Sequence, residues 1–179
     1  MRTPVLETDR LFLRRPNQSD IGTVLARLRL GVRHVATAPL SGARALEQTV
    51  PIVCQWDLRG YGMFAVVPRE CDDPIGLAGP WQPRGWAEPE LGFLFLDTPD
   101  TDSLGPEALR CARRFAEKGV GWVDIVSHIV PDDRRAAMLL RAAGAIADPF
   151  VDPFVLGTSE SLSFRHPVRR TRTQSRRIA

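Results

Sequence analysis

The sequence predicts a mixed α/β domain with one central, mostly antiparallel sheet flanked by helices. Three strand-like runs follow one another in the middle of the chain, and segments with helical apolar spacing precede and follow them. The chain has 179 residues, of which 44% are apolar and 25% charged, as in an ordinary folded domain. A chain of this length buries roughly 70% of its unfolded surface, which is enough for a core. We therefore expect one domain over residues 1–166.

The first third of the chain is predicted as one strand and two helices. Residues 9–15, "DRLFLRR", alternate apolar and polar side chains, as in a half-buried strand. Ser19 or Asp20 is expected to cap the first helix. The second helix is predicted over residues 41–60, with a kink at Pro51. The first helix takes its apolar face from Ile21, Val24, Leu25 and Leu28.

The middle of the chain is predicted as an antiparallel meander. Its three runs are "YGMFAVV" (61–67), "PIGLAGPW" (74–81) and "AEPELGFLFL" (87–96). Proline, glycine and charged residues separate them, as expected of turns between consecutive strands.

The last third adds two helices and two strands. A helix is predicted to open at Pro106, because a proline at the first helical position loses no intrahelical bond, and to stop at Gly119. A strand over 122–130, a helix over 132–144 and a final strand over 161–165 follow. The resulting order is β-α-α-β-β-β-α-β-α-β.

The net charge of +3 comes from the C-terminal end of the chain. Residues 165–179 contain six arginines and no acid, and the rest contains 18 basic against 21 acidic residues. The tail, residues 167–179, has almost no apolar content, so we expect it to be disordered. It is interpreted as a solubilising end. The alternative is a weak, salt-sensitive contact with nucleic acid or an acidic partner.

Cysteine and hydropathy patterns predict a cytoplasmic protein. The cysteine number is odd and no C-x-x-C pair occurs, so reduced and mostly buried thiols are expected. Neither a signal peptide nor an apolar run of about eighteen residues is evident, so no membrane span is predicted. The cysteines are Cys54, Cys71 and Cys111.

No metal site is predicted, because the three histidines lie far apart and have no Cys or carboxylate at ligand spacing. His128 is interpreted as packed or solvated. Trp81 and Trp86 are interpreted as packing residues, with the lining of an acceptor pocket as the alternative. The histidines are His34, His128 and His166.

Several motifs, in order, resemble the GNAT superfamily of acetyl-CoA-dependent N-acetyltransferases. They are similar to the branch that acetylates ribosomal-protein N-termini, and they cover residues 5–146. The resemblance implies the GNAT fold, acetyl-CoA as co-substrate and a primary amine as acceptor, such as a protein N-terminus. The matching segments are "LETDRLFLRR", "RGYGMFAVV", "PIGLAGPWQPRGWAEPELGF" and "PDDRRAAMLLRAAGA".

The family's pyrophosphate loop, similar to R-G-x-G-x-A-x-E-A, falls on "DTDSLGPEA". Its glycines let the backbone approach phosphate, and the following helix offers free N–H groups. Counting back from Glu107, the family's arginine falls on Asp100 and a frequent basic residue on Asp102. Its two glycines fall on Thr101 and Ser103. The loop therefore has the family's position without its chemistry.

Two hypotheses follow for this loop. In the first, the carboxylates repel a pyrophosphate, by ~1 kcal/mol for charges 4 Å apart in water, and Asp100, Asp102 or Ser103 cap the helix instead. In the second, the loop bends correctly and backbone donors suffice. By resemblance, the cofactor contacts are the N–H groups of Phe95, Leu96, Ser103, Leu104 and Gly105, together with Asp133 at the family's asparagine position.

The resemblance also implies catalytic roles. Glu90 is the candidate base for the acceptor amine, with Glu88 as second choice. The alternative for Glu90 is an exposed strand-edge carboxylate, or one paired with an arginine such as Arg84. The family's acid, a serine, falls on Ala136, and the single tyrosine is Tyr61. The chain is therefore either a slow or specialised acetyltransferase or a GNAT-fold binding or structural protein without catalysis.

Overall fold

The structure, a computed structural model, describes residues 4–29, 42–82, 88–151, 155–156 and 159–167. The helices are α1 (Gln18–Arg29), α2 (Gly42–Arg59), α3 (Pro99–Phe115) and α4 (Arg134–Ala142). The strands are β1 (Leu6–Glu7), β2 (Leu11–Arg14), β3 (Phe64–Pro68), β4 (Gly76–Trp81), β5 (Glu90–Phe95), β6 (Ile125–Ile129), β7 (Ile146–Ala147), β8 (Val155–Leu156), β9 (Ser159–Glu160) and β10 (Leu162–His166).

The described strands form one eight-stranded sheet in the order β1-β2-β3-β4-β5-β6-β10-β7, beside a β8–β9 pair. Strands β1 to β5 are antiparallel neighbours, and β6 joins β5 in parallel. On the other side of β6, β10 and β7 are antiparallel again. The predicted meander and the mixed, mostly antiparallel sheet are confirmed.

Helix α1 begins with a capping box, whose residues differ from the predicted cap. The Asp20 N–H donates to Asn17 Oδ1, and the Asn17 N–H donates to Asp20 Oδ2, both at 2.8 Å. Asn17 is therefore the cap, and Asp20 closes the capping box from the third helical position. Arg14 also holds the buried Asp20 carboxylate, at 2.5 and 2.9 Å. In α2, Pro51 lies inside the helix, as predicted.

Helix α3 begins at Pro99, seven residues before the predicted start at Pro106. Thr98 has extended backbone angles, and its hydroxyl accepts the Thr101 N–H at 3.4 Å. The rule that favours proline at the first helical position fits both prolines, but only Pro99 follows a residue whose side chain can accept a helix N–H. At the other end α3 continues into a π-helical turn, Ala116–Val120, and the left-handed Gly121 (φ 84°) ends it, not Gly119.

Helices cover both faces of the sheet. A larger apolar cluster lies beneath α3 and α4, and a smaller one lies beneath α1 and α2. The larger cluster includes Phe64, Leu91, Phe95, Leu109, Leu140 and Phe164. The smaller includes Ile21, Val24, Ile52, Met63, Leu77 and Leu96.

The expectation of buried cysteines is wrong for two of the three. Cys54 and Cys71 are exposed and Cys111 is half-buried, and all three are free thiols. None of the helices in the described parts of the chain is long and apolar enough to cross a membrane. The predictions for His34, Arg84, Trp86 and residues 168–179 fall outside the described residues.

Candidate functional site

Strands β5 and β6 part after one bridge, between Glu90 and Val126. A continued parallel ladder would next join the His128 N–H to the Leu91 carbonyl. Instead, each of these two backbone groups forms a hydrogen bond with a side chain. Ser127 Oγ donates to the Leu91 carbonyl at 2.6 Å, and the His128 N–H donates to the Glu90 carboxyl group. The opening beyond this point is called the β5–β6 gap.

The β4–β5 register decides which backbone groups of β5 face the gap. Leu96 donates its N–H to the Ile75 carbonyl on the β4 side, at 2.9 Å. Because partners alternate along an antiparallel strand, the N–H groups of Phe93 and Phe95 point towards β6. Phe95 therefore faces the gap, as the prediction requires. Leu96 does not, and Phe93, which was not predicted, takes its place.

Glu90 is buried where the two strands part. Its residue is 7% exposed, and burial raises the pKa of its carboxyl group to about 8. Within the described part of the chain, Oε2 has no hydrogen-bond partner. Leu94 shares a face of β5 with Glu90 and packs against the cluster beneath α1 and α2. The carboxyl group thus lies on the α1–α2 side of the sheet, and the exposed-carboxylate alternative is wrong.

Ser127 and His166 support the gap from the opposite face. His166 Nε2 lies 2.9 Å from Ser127 Oγ, whose single proton goes to Leu91. The imidazole must therefore donate from Nε2, which leaves Nδ1 as an unprotonated acceptor, and Nδ1 is buried without a described partner. Burial, with Arg113 nearby, lowers the pKa of His166 to about 3, so the ring is neutral. This pair is structural.

The predicted phosphate-loop residues lie inside α3. Ser103, Leu104 and Gly105 occupy its second turn, where each N–H bonds to the carbonyl four residues earlier. The expectation that Asp100, Asp102 or Ser103 caps this helix is wrong, since Thr98 does so. A Cβ at Gly105 would come within 3.2 Å of Leu139 Cδ2, so this glycine serves close packing against α4.

Arg135, at the start of α4, reaches across to the start of α3. It forms ion pairs with Asp97 and Asp102, the latter at 2.6 Å, and it donates to the Thr98 carbonyl at 2.6 Å. These three contacts are called the Arg135 clamp. This clamp could not be predicted from local sequence, because its partners are 33 to 38 residues away from Arg135. Asp133 caps α4 by accepting the Ala136 N–H at 2.8 Å.

The other predicted site residues pack against or bond to neighbouring residues of the fold. Glu88 lies 3.5 Å from Arg165, Trp81 packs against the cluster beneath α1 and α2, and the ring of Tyr61 lies edge-on to Trp122. His128 is half-buried, and its Nδ1 lies 3.0–3.1 Å from two serine hydroxyls. Among the described residues, no group of three His, Cys, Asp or Glu side chains could hold a metal ion.

Comparison with known proteins supports the fold described above. Residues 10–146 match the acetyltransferase (GNAT) domain family. A search of curated proteins finds no match. An acetyltransferase from Agrobacterium tumefaciens str. C58 has the same fold at 22% identity, with a TM-score of 0.80 over 94% of this chain and 96% of that one.

Two further solved structures share the fold. A GNAT-family acetyltransferase from Bacillus anthracis is 12% identical, with a TM-score of 0.68 over 90% of this chain and 96% of that one. A ribosomal-protein-S5-alanine acetyltransferase from Vibrio fischeri is 14% identical, with a TM-score of 0.66 over 90% and 93%. Because the family match spans most of the sequence, the chain belongs to the GNAT acetyltransferase family.

Proposed function

We propose that the protein transfers an acetyl group from an acetyl thioester to a primary amine, with Glu90 as the general base. One observation carries the proposal. A buried carboxyl group, one oxygen of which has no partner among the described residues, lies where β5 and β6 part, next to backbone donors that face the gap. A pKa of about 8 suits a base that works near neutral pH.

The base is needed because an amine is mostly protonated at neutral pH. Glu90 accepts the ammonium proton, the freed nitrogen attacks the thioester carbonyl, and the C–S bond breaks as the amide forms. The Phe93 and Phe95 N–H groups would bind the acetyl thioester along β5. Ala136 stands where the family places a serine acid, so the thiolate leaves without that residue's help. General acid help is worth about 10²–10⁴-fold, and we therefore propose slow turnover.

The family implies acetyl-CoA as donor, and its two ends fit the site differently. Its pantetheine amides match the N–H groups of Phe93 and Phe95 that line the β5–β6 gap. Its diphosphate would lie at the start of α3 among Asp97, Asp100 and Asp102. The acceptor is proposed to be a protein N-terminus, by analogy with the Vibrio fischeri enzyme named for ribosomal protein S5 alanine.

The second candidate function is a GNAT-fold binding or structural protein without catalysis. Ala136 and the Arg135 clamp favour it, since one lacks an acid and the other occupies the start of α3. The Arg-rich tail would then supply a salt-sensitive contact with an acidic partner or nucleic acid.

Thiol release from acetyl-CoA in the presence of a panel of N-terminal peptides separates the two functions. We expect slow acetylation by the wild type, a 10²–10⁴-fold loss of kcat/KM for Glu90→Gln, and no change for the exposed Glu70→Gln. The wild-type kcat/KM should rise with pH towards about 8, as Glu90 ionises. Glu90→Gln at full activity would refute the role of the base. No acetylation of any peptide would favour the second function.

A further inference from the structure

We propose that the protein recognises its thioester donor through the pantetheine arm, and that the diphosphate of coenzyme A adds no affinity. The inference rests on the proposed function for the identity of the donor. It predicts that acyl thioesters of pantetheine without the nucleotide bind as well as the corresponding coenzyme A compounds.

The path of the donor follows from the connection between β5 and α3. Only residues 96–98 separate the end of β5 from Pro99, so a ligand held by the Phe93 and Phe95 N–H groups leads towards the start of α3. Ligands of sheets with parallel neighbours commonly bind beyond the carboxyl ends of the strands. A diphosphate on that arm would therefore be placed at the α3 N-terminus.

Backbone donors at the α3 N-terminus are nearly all in use. Pro99 has no N–H, and the Thr101 N–H is taken by Thr98. From Asp102 onward each N–H has a carbonyl partner inside the helix, apart from Pro106, which has no N–H. Asp100 is left as the one residue of the first turn whose N–H has no helical partner. A cradle for two phosphates needs several such donors.

The charge at this position opposes a polyanion. Asp97, Asp100 and Asp102 are exposed there, and Arg135 faces two of them. All three guanidinium nitrogens of Arg135 are already bonded, to Asp97, Asp102 and the Thr98 carbonyl. A diphosphate that recruited Arg135 would leave two carboxylates without their cation. The exchange gains no net pairing.

The decisive experiment is calorimetric titration of the full-length protein with coenzyme A and, separately, with pantetheine. We expect dissociation constants that agree within about threefold, little dependence on salt, and no displacement of coenzyme A by millimolar ADP. Coenzyme A binding a hundredfold tighter than pantetheine, or displacement by ADP, would overturn the inference, and so would binding of neither compound. Equal binding without acetylation of any peptide would refute the proposed reaction and leave this inference standing.

A charge variant tests the stated cause. Asp97→Asn with Asp102→Asn frees Arg135 and removes two negative charges, each worth about fivefold at 4 Å in water. We expect coenzyme A to bind at least tenfold tighter and pantetheine to bind unchanged. Adding Arg135→Met should reduce the gain by about fivefold, the worth of one charge, whereas Asp132→Asn, an exposed acid before α4, should produce none. An equal gain for pantetheine would contradict the electrostatic argument.

Discussion

The buried Glu90 carboxyl group should make the stability of the protein depend on pH. Its pKa is about 8 in the folded protein against 4.5 in the unfolded chain, because burial penalises the charged form. Between these two values the unfolded chain has lost the proton while the folded protein keeps it. The free energy of unfolding therefore falls as pH rises through this window, by up to about 1.4 kcal/mol per pH unit.

Glu90→Gln removes this titration and keeps an oxygen that can accept the His128 N–H. Linkage gives a wild-type loss, relative to the variant, of about 3 kcal/mol between pH 5 and pH 8. With a urea dependence of about 2 kcal/mol per molar, the difference between the two unfolding midpoints should change by about 1.5 M across that range.

Urea unfolding of both proteins at pH 5, 6, 7 and 8 measures this change. Glu70→Gln, an exposed carboxylate after β3, is the matched control and should follow the wild type throughout. Parallel midpoint curves for wild type and Glu90→Gln would show that Glu90 is hydrated in the folded protein. Glu90 would then lack the raised pKa that suits a base near neutral pH.

Substitutions at three further positions test the fold. Pro106→Ala should raise the free energy of unfolding by about 2 kcal/mol, because the variant supplies the backbone N–H that the Asp102 carbonyl lacks inside α3, and a lower melting temperature would instead indicate that the helix begins at Pro106. Ser127→Ala should lower the unfolding free energy in urea by about 3 kcal/mol, since the buried Leu91 carbonyl and His166 N–H lose their partner, and a change below about 0.5 kcal/mol would refute that. Thr98→Ala should lower it by about 1 kcal/mol and Thr98→Ser by much less, in thermal unfolding, whereas equal effects would exclude the cap.

The order of elements along the chain, the central meander and most helices could be predicted from the sequence, because alternation, helical spacing and punctuation by Gly and Pro are local signals. The α3 start could have been predicted as well. Thr98 before Pro99 offers a side-chain oxygen as a cap, while Gly105 before Pro106 has no side chain that could accept a helix N–H. The rule that favours proline at the first helical position, applied to Pro106 without regard to a capping side chain, predicts the wrong start.

The site was less predictable because long-range contacts decide it. Nothing local to Glu90 indicates burial, which results from the partner strand β6 some 36 residues later. The Arg135 clamp likewise joins residues from two helices. The role of the Phe93 N–H could be predicted only from the β4–β5 register. Alternation along β5 does not by itself say which of its N–H groups point away from β4 and into the β5–β6 gap.

The side-chain bonds made by Ser127 and Glu90 have a consequence for kinetics. A ligand that had to separate two paired strands would lose about 1 kcal/mol of binding free energy for each ladder bond broken. Its association rate would also be limited by the opening of the strands. In this protein the β5–β6 gap is already open in the folded state. Ligand entry is therefore expected to be limited by encounter and desolvation alone.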